Sequence, residues 1–130
     1  MTFRERMRSA DPPAEYQVLE ELLKLGLGKY LESSVAKGGH EIKFIFQIDG
    51  CHGTVPDYYW SPPVNLATYL DGKPHLKRET RDLLIDAALT RYGYNFVRFP
   101  YNSPISQQRK KEVAWQTRQE ILKLYPRYYG

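Results

Sequence analysis

A single cysteine, Cys51, stands in a chain of 130 residues, and one thiol cannot close an internal disulfide framework. Without a matched set of Cys and His side chains, a structural zinc site is not expected either. A reducing, intracellular and cytoplasmic setting follows as the expectation. Long apolar runs are equally scarce. The longest uncharged stretch, Tyr58 to Leu70, is broken by Pro62 and Pro63 and is too short to span a bilayer. The N-terminal MTFRERMRSAD is charged throughout and lacks the apolar centre of a signal peptide, so no membrane partner is expected.

What is present suits one globular domain over residues 1–130. Aromatics make up 14% of the chain, with eleven Tyr, which is enough to build a core at this length without staples. The net charge is +4, and its distribution matters more than its size. Between Ile105 and Gly130, six basic residues (Arg109, Lys110, Lys111, Arg118, Lys123, Arg127) face only Glu112 and Glu120, so the whole excess lies in that tail. A stripe of this kind attracts phosphate backbones, although it also suits a solvated helix face.

Along the chain, Met1 to Ala10 carries three arginines without a clean period and reads as a basic, flexible arm. Asp11-Pro12-Pro13 reads as a helix start with Asp11 as N-cap, placing Glu15 in the positive first turn; Tyr16, Leu19, Leu22 and Leu23 recur at helical spacing. From Gly28 to Glu41 a short helical turn and a loop are expected. KFIFQI (Lys43 to Ile48) is a strand by composition, and Asp49 to Gly53 a turn, with His52 an exposed turn residue. TVPDYYW and NLATYL then form a hairpin across a Pro-rich turn, giving three consecutive antiparallel strands. From Lys77 the period shifts to 3.6, with Leu84, Ala88 and Tyr92 beside Ile85 and Leu89, closed by Gly93. NFVRFPY supplies a fourth strand through a crossover. Ser103-Pro104 is expected to open a basic C-terminal helix and tail over 103–130, with Val113, Thr117, Ile121 and Leu124 on the helix's apolar face and YPRYYG as the tail.

The hairpin gathers the candidate chemistry. A turn near Pro63 or Val64 pairs residues whose numbers sum to about 126–128, which sets Asp57 opposite the neighbourhood of Tyr69 and Asp71. Asp71 and Lys73 share a strand face, and His75 follows Pro74. Carboxylates brought that close repel unless a proton or cation lies between them, and a hard divalent ion suits an all-oxygen set. A carboxylate such as Asp57 among aromatic neighbours needs a partner. The bland alternatives are a strand-ending turn for Asp71-Gly72 and helix-start residues for Asp82 and Glu15.

Pro56-Asp57, thirteen residues, then Asp71-Gly72-Lys73 resembles the PD-(D/E)XK signature of metal-dependent nucleases. The wider order is similar to the Vsr-like branch with its EDxHD-type endonucleases: Asp71-Gly72 ending a strand, His75, Asp82 opening a helix, Gly93 closing it, Arg98-Phe99 ending a strand, and Glu15 at the start of the first helix. The resemblance covers about Pro12 to Tyr101. It implies an α/β (α+β) restriction-endonuclease-like fold, an αβββαβ core with a mixed four-stranded sheet flanked by helices, here with an added C-terminal helix. It implies a Mg²⁺- or Mn²⁺-dependent endonuclease acting on DNA, with Asp57, Asp71 and Glu15 at the metal. Lys73 or His75 would orient the attacking water, and Asp82 would fix His75 or a water. Arg109, Lys110, Lys111 and Arg118 are the expected nucleic-acid contacts. Tyr69 stands where many relatives carry glutamate, which keeps open a binding module without catalysis. A homodimer, or a subunit that needs a specificity partner, is also compatible.

Overall fold

Apolar spacing and two terminal glycines define the helices that frame the sheet. In the computed structural model, which describes residues 13–48, 51–72 and 76–130, α1 (Ala14–Lys24) buries Tyr16, Val18, Leu19 and Leu22. Its end is fixed by Gly26 at φ 73°: the Gly26 N–H donates to the Leu23 carbonyl (3.0 Å) and the Leu27 N–H to that of Leu22 (3.1 Å). This paired closure needs a left-handed residue, which glycine supplies without a Cβ clash. Pro13 occupies the N-cap position without a side-chain cap. Asp11 and the basic arm expected before it lie outside the described residues.

Among the described residues the elements follow one another as α1, β1 (Leu31–Ser34), β2 (Ile42–Ile48), β3 (Cys51–Thr54), β4 (Tyr58–Trp60), β5 (Leu66–Asp71), α2 (Leu76–Arg91), β6 (Asn95–Pro100) and α3 (Gln107–Leu124). The central sheet has the order β1-β4-β5-β6, and a separate two-stranded ribbon pairs β2 with β3. Within the sheet β1-β4 and β4-β5 are antiparallel, while β5-β6 is parallel because α2 crosses between them. With the ribbon set aside, the order is αβββαβ plus α3, the architecture expected, but the strands are not those expected.

The three-strand meander is corrected. KFIFQI is a strand, yet it belongs to the ribbon, and Cys51 to Gly53, read as a turn, pairs with it. TVPDYYW is two strands rather than one: Val55-Pro56-Asp57 interrupts it, and a proline there has no N–H to continue a ladder. The first strand of the central sheet is instead LESS (Leu31–Ser34), inside the stretch read as helical turn and loop. Its polar composition gives no strand signal, and pairing against Tyr58–Trp60 decides its state. The hairpin register does hold: Tyr58↔Thr68, Tyr59↔Ala67 and Trp60↔Leu66 all sum to 126.

Both faces of the sheet are covered, which is why β4 and most of β5 are buried without alternation. On one face α1 and α3 enclose Val18, Leu22, Tyr58, Trp60, Leu66, Val113 and Ile121. On the other, α2 and the ribbon enclose Ile42, Phe44, Tyr59, Ala67, Tyr69, Ile85 and Leu89. Leu84, expected on the buried stripe of α2, is exposed, and Ile85 and Leu89 carry the contact. Gly93 (φ 84°) ends α2 as expected. The start of α3 is corrected to Gln107: Ser106, not Ser103, accepts from the Arg109 N–H (3.0 Å). Val113, Thr117 and Ile121 are buried as expected, and the Tyr128 hydroxyl donates to the Lys29 carbonyl (2.7 Å), fastening the C-terminal segment.

Candidate functional site

The end of the β4-β5 hairpin remote from its turn is where charged groups collect. Asp57 precedes β4, and its backbone N–H donates to the Thr68 carbonyl (2.9 Å), extending the ladder by one residue. Its carboxylate Oδ2 accepts from the Leu70 N–H (2.7 Å). The partner required for a carboxylate among aromatic side chains is therefore a backbone amide of the neighbouring strand. Burial pushes the Asp57 carboxyl up to about 6; the Leu70 hydrogen bond opposes this, and the charges of Glu15 and Asp71 add to the rise.

Asp71 is the last residue of β5, opposite Pro100, and its carbonyl accepts from the Tyr101 N–H (2.9 Å). Its carboxyl is raised by burial, with the Arg98 charge pulling it down and Asp82 and Asp86 pushing it up. Glu15 lies in the first turn of α1, where its backbone carbonyl accepts from the buried Tyr58 hydroxyl. That bond ties the helix start to the hairpin, and the Glu15 charge acts on both Asp57 and Tyr101. Tyr101 is raised by burial and then by Glu15, Asp57 and Asp71, and its hydroxyl faces Gly72. Glu15, Asp57 and Asp71, named from the sequence, are thus brought into one electrostatic neighbourhood.

Beside them sits a hub that sequence reasoning missed. Arg98 Nε donates to Asp86 Oδ1 (2.7 Å), while its Nη1 lies 3.4 Å from Asp71 Oδ1 and 3.8 Å from Asp82 Oδ2. The guanidinium stacks over the Tyr69 ring, 4.3 Å from the centroid, as the parallel register Tyr69↔Arg98 requires. Burial disfavours the Arg98 charge, but the hydrogen bond to Asp86 and the charges of Asp86, Asp71 and Asp82 outweigh it, and its pKa is raised. Burial also pushes the Tyr69 hydroxyl up to about 12; that hydroxyl pairs with Thr54 Oγ1 (3.1 Å). Asp71, Asp82, Arg98, Tyr69 and Thr54 line a cavity of about 200 Å³. Two signals could have revealed the hub: an arginine inside an otherwise apolar strand needs buried partners, and Asp82 and Asp86 stand four apart on one helix face.

Asp82 has Arg98 as its described partner. Lys73 and His75, expected to act on the water, lie outside the described residues. Of the four expected nucleic-acid contacts, Arg109 is committed internally: Nε and Nη2 donate to the Pro100 carbonyl (3.0 and 2.8 Å) and Nη1 to Glu112 (3.1 Å). Lys111 is exposed, Lys110 half-buried, and Arg118 stacks on aromatic rings.

Among the described residues no group of three or more His, Cys, Asp or Glu side chains gathers closely enough to enclose a metal ion. A closed zinc or calcium cage therefore does not fit them. The donor chemistry does fit Mg²⁺ or Mn²⁺, because magnesium needs only one or two protein carboxylates and takes its other ligands from water and phosphate oxygens. The elevated Asp57 carboxyl beside Glu15 and Asp71 has the negative surroundings such an ion would offset. Comparison of the chain with family models, with curated proteins and with solved structures finds no match.

Proposed function

We propose that this protein hydrolyses DNA phosphodiester bonds as a Mg²⁺- or Mn²⁺-dependent endonuclease. The observation that carries the reading is geometric: the Asp57 carboxylate, held by the Leu70 N–H (2.7 Å) at the open end of a buried hairpin, lies near enough to Glu15 and Asp71 for their charges to add to the rise that burial gives it. A fold that served stability alone would gain little by collecting like charges there. Asp57 and Asp71 would hold the cation directly and Glu15 through water; when bound, the ion would supply Lewis-acid polarisation of the phosphate and a more acidic water.

The remaining residues have roles of their own. The Leu70 N–H orients the Asp57 carboxylate through Oδ2, leaving Oδ1 for a ligand. Asp86 anchors Arg98 through Nε, so that the Nη1 edge faces Asp71 and the cavity. There the guanidinium limits the repulsion felt by Asp71 and is available to a phosphate oxygen. Lys73 and His75 remain the proposed groups for orienting the attacking water. A second copy or a partner chain would be needed for cutting both strands from a one-site monomer.

A second reading is favoured by one contact. Arg98 already partners Asp71 at 3.4 Å, and Tyr69 occupies the stacking position under it, which suits a nucleic-acid-binding module without catalysis. Supercoiled plasmid incubated with Mg²⁺, Mn²⁺ or EDTA separates the two. Nicking that needs the cation and is lost in Asp57→Asn and Asp71→Asn supports the nuclease. DNA retention that ignores EDTA, with no cleavage in any condition, supports the binding module instead.

A further inference from the structure

The outer face of α3 carries a feature that the core does not need. Trp115 and Tyr129 are large aromatic side chains left 50% and 49% exposed. Between them lies Arg118, its guanidinium carbon 4.9 Å from the Trp115 ring centroid and 5.4 Å from that of Tyr129. The helix is anchored from its opposite side by Val113, Ala114, Thr117 and Ile121. The C-terminal segment is anchored independently, by the buried Tyr128 and by the Tyr129 hydroxyl on the Leu25 carbonyl (2.6 Å). Trp115 thus contributes little to either task, and an exposed indole beside a stacked guanidinium calls for a ligand with a flat π-face.

Charge selects the kind of ligand. The acidic residues of α3 are occupied, Glu112 by Arg109 and Glu120 by Lys123, whereas Lys111, Arg118 and Arg127 have no carboxylate partner among the described residues. An aromatic and guanidinium platform with uncompensated cations beside it matches bases joined by phosphates. In a duplex those base faces are already stacked, so the rings are usable only by an unpaired strand. We infer that the Trp115, Arg118 and Tyr129 surface binds single-stranded nucleic acid, the bases stacking on Trp115 and the phosphates meeting Lys111 and Arg118. Trp115 stands roughly 12 Å along the helix from Gln107, and the helix start is tied by Arg109 to Pro100, the partner of Asp71 in the sheet. The inference deepens the nuclease reading, since it supplies a hold on a strand displaced near the proposed cleavage site.

The chain contains two tryptophans, and Trp60 is fully buried with its N–H bonded to the Leu27 carbonyl (2.8 Å). Emission changes on adding an oligonucleotide therefore report on Trp115. The experiment titrates the full chain with an oligothymidylate of about ten nucleotides, in EDTA so that binding is read without cleavage. Saturable, salt-sensitive quenching is expected. Trp115→Ala should weaken binding at least about fivefold and abolish the quench while leaving the circular dichroism spectrum unchanged. Trp115→Phe should retain part of the affinity, and Lys111→Ala and Arg118→Ala should each lower the salt slope by about 0.7. Absence of quenching, equal affinity for Trp115→Ala, or a duplex of the same length binding as tightly as the single strand would overturn the inference. So would self-association abolished by Trp115→Ala, which would make this face a protein interface. Parallel cleavage assays keep the two readings apart. Quenching without cleavage leaves this surface standing and removes the nuclease, while cleavage with no effect of Trp115 does the reverse.

Discussion

The two faces of the central sheet are built for different ends. The face toward α1 and α3 is lined by Val18, Leu22, Tyr58, Trp60, Leu66, Val113 and Ile121, and its buried polar atoms include two hydroxyls, Ser34 and Thr68, that lack partners among the described residues. The face toward α2 has an apolar patch around Tyr59, Ala67, Ile85 and Leu89 but carries at its edge Arg98 with Asp71, Asp82 and Asp86. Burying apolar surface stabilises by roughly 25 cal/mol per Å². Half-burying charges costs free energy that paired geometry only partly returns. The comparison teaches that apolar burial is concentrated on one face and charge on the edge of the other, where burial raises the Asp71 and Asp86 carboxyls and Arg98 opposes the rise.

The sharpest way to break that comparison is at Asp57, because the two faces predict opposite signs for activity and stability. Asp57→Asn keeps an oxygen for the Leu70 N–H but removes the charge. Plasmid cleavage should fall below detection while urea unfolding at pH 7 shows a protein more stable by up to about 3 kcal/mol. The sign follows from linkage. The carboxyl titrates at about 6 in the fold against 3.8 for an ordinary aspartate. Between those values the folded state holds a proton the unfolded state has lost, so wild-type stability declines as pH rises from about 4 to 6. The raised Asp71 and Asp86 carboxyls act in the same direction, and Asp57→Asn should show a shallower decline. A variant less stable than wild type at pH 7 would show that the carboxylate supports the fold.

On the apolar face Trp60→Ala should cost about 3–5 kcal/mol, since the side chain is fully buried and its N–H is bonded to Leu27. Thermal unfolding measures it, and a loss under about 1 kcal/mol would remove the distinction between the faces. Arg98→Met should cost less, about 2–3 kcal/mol after allowance for solvent screening, because three carboxylates lose their shared counter-charge. Its deficit should shrink at low pH as those carboxyls protonate, whereas the Trp60→Ala deficit should not. The smallest effect is expected at Thr68, whose buried hydroxyl has no partner among the described residues. Thr68→Val should leave stability within about 1 kcal/mol of wild type or raise it, and a larger loss would point to a hidden partner for the hydroxyl.

Legibility from the sequence tracked the range of the interactions. The hairpin register was readable because the turn and the strand period act over a few residues, and the pairing sum of 126 fell where expected. The glycine end of α2 was readable for the same reason, and the convergence of Asp57 on Tyr69 and Asp71 followed from the register. LESS was not readable as a strand, since its state depends on Tyr58–Trp60 lying beside it. Arg98 and Asp86 were overlooked as partners because they lie twelve residues apart, on a strand and a helix whose relative placement no local pattern states.

The sequence alone determined the glycine end of α2, the hairpin, the crossover before β6, the positive C-terminal stretch and the identity of the carboxylates Glu15, Asp57 and Asp71. These depend on backbone preferences and periodicities that act within one or two elements. Tertiary structure alone decided that Leu31–Ser34, not Lys43–Ile48, forms the edge of the central sheet. It also decided that Arg98 would bridge Asp71, Asp82 and Asp86 and that Arg109 would be spent on the Pro100 carbonyl. Strand choice and charge pairing of this kind are settled by which groups can share a buried environment, and that depends on the packing of segments far apart in the chain.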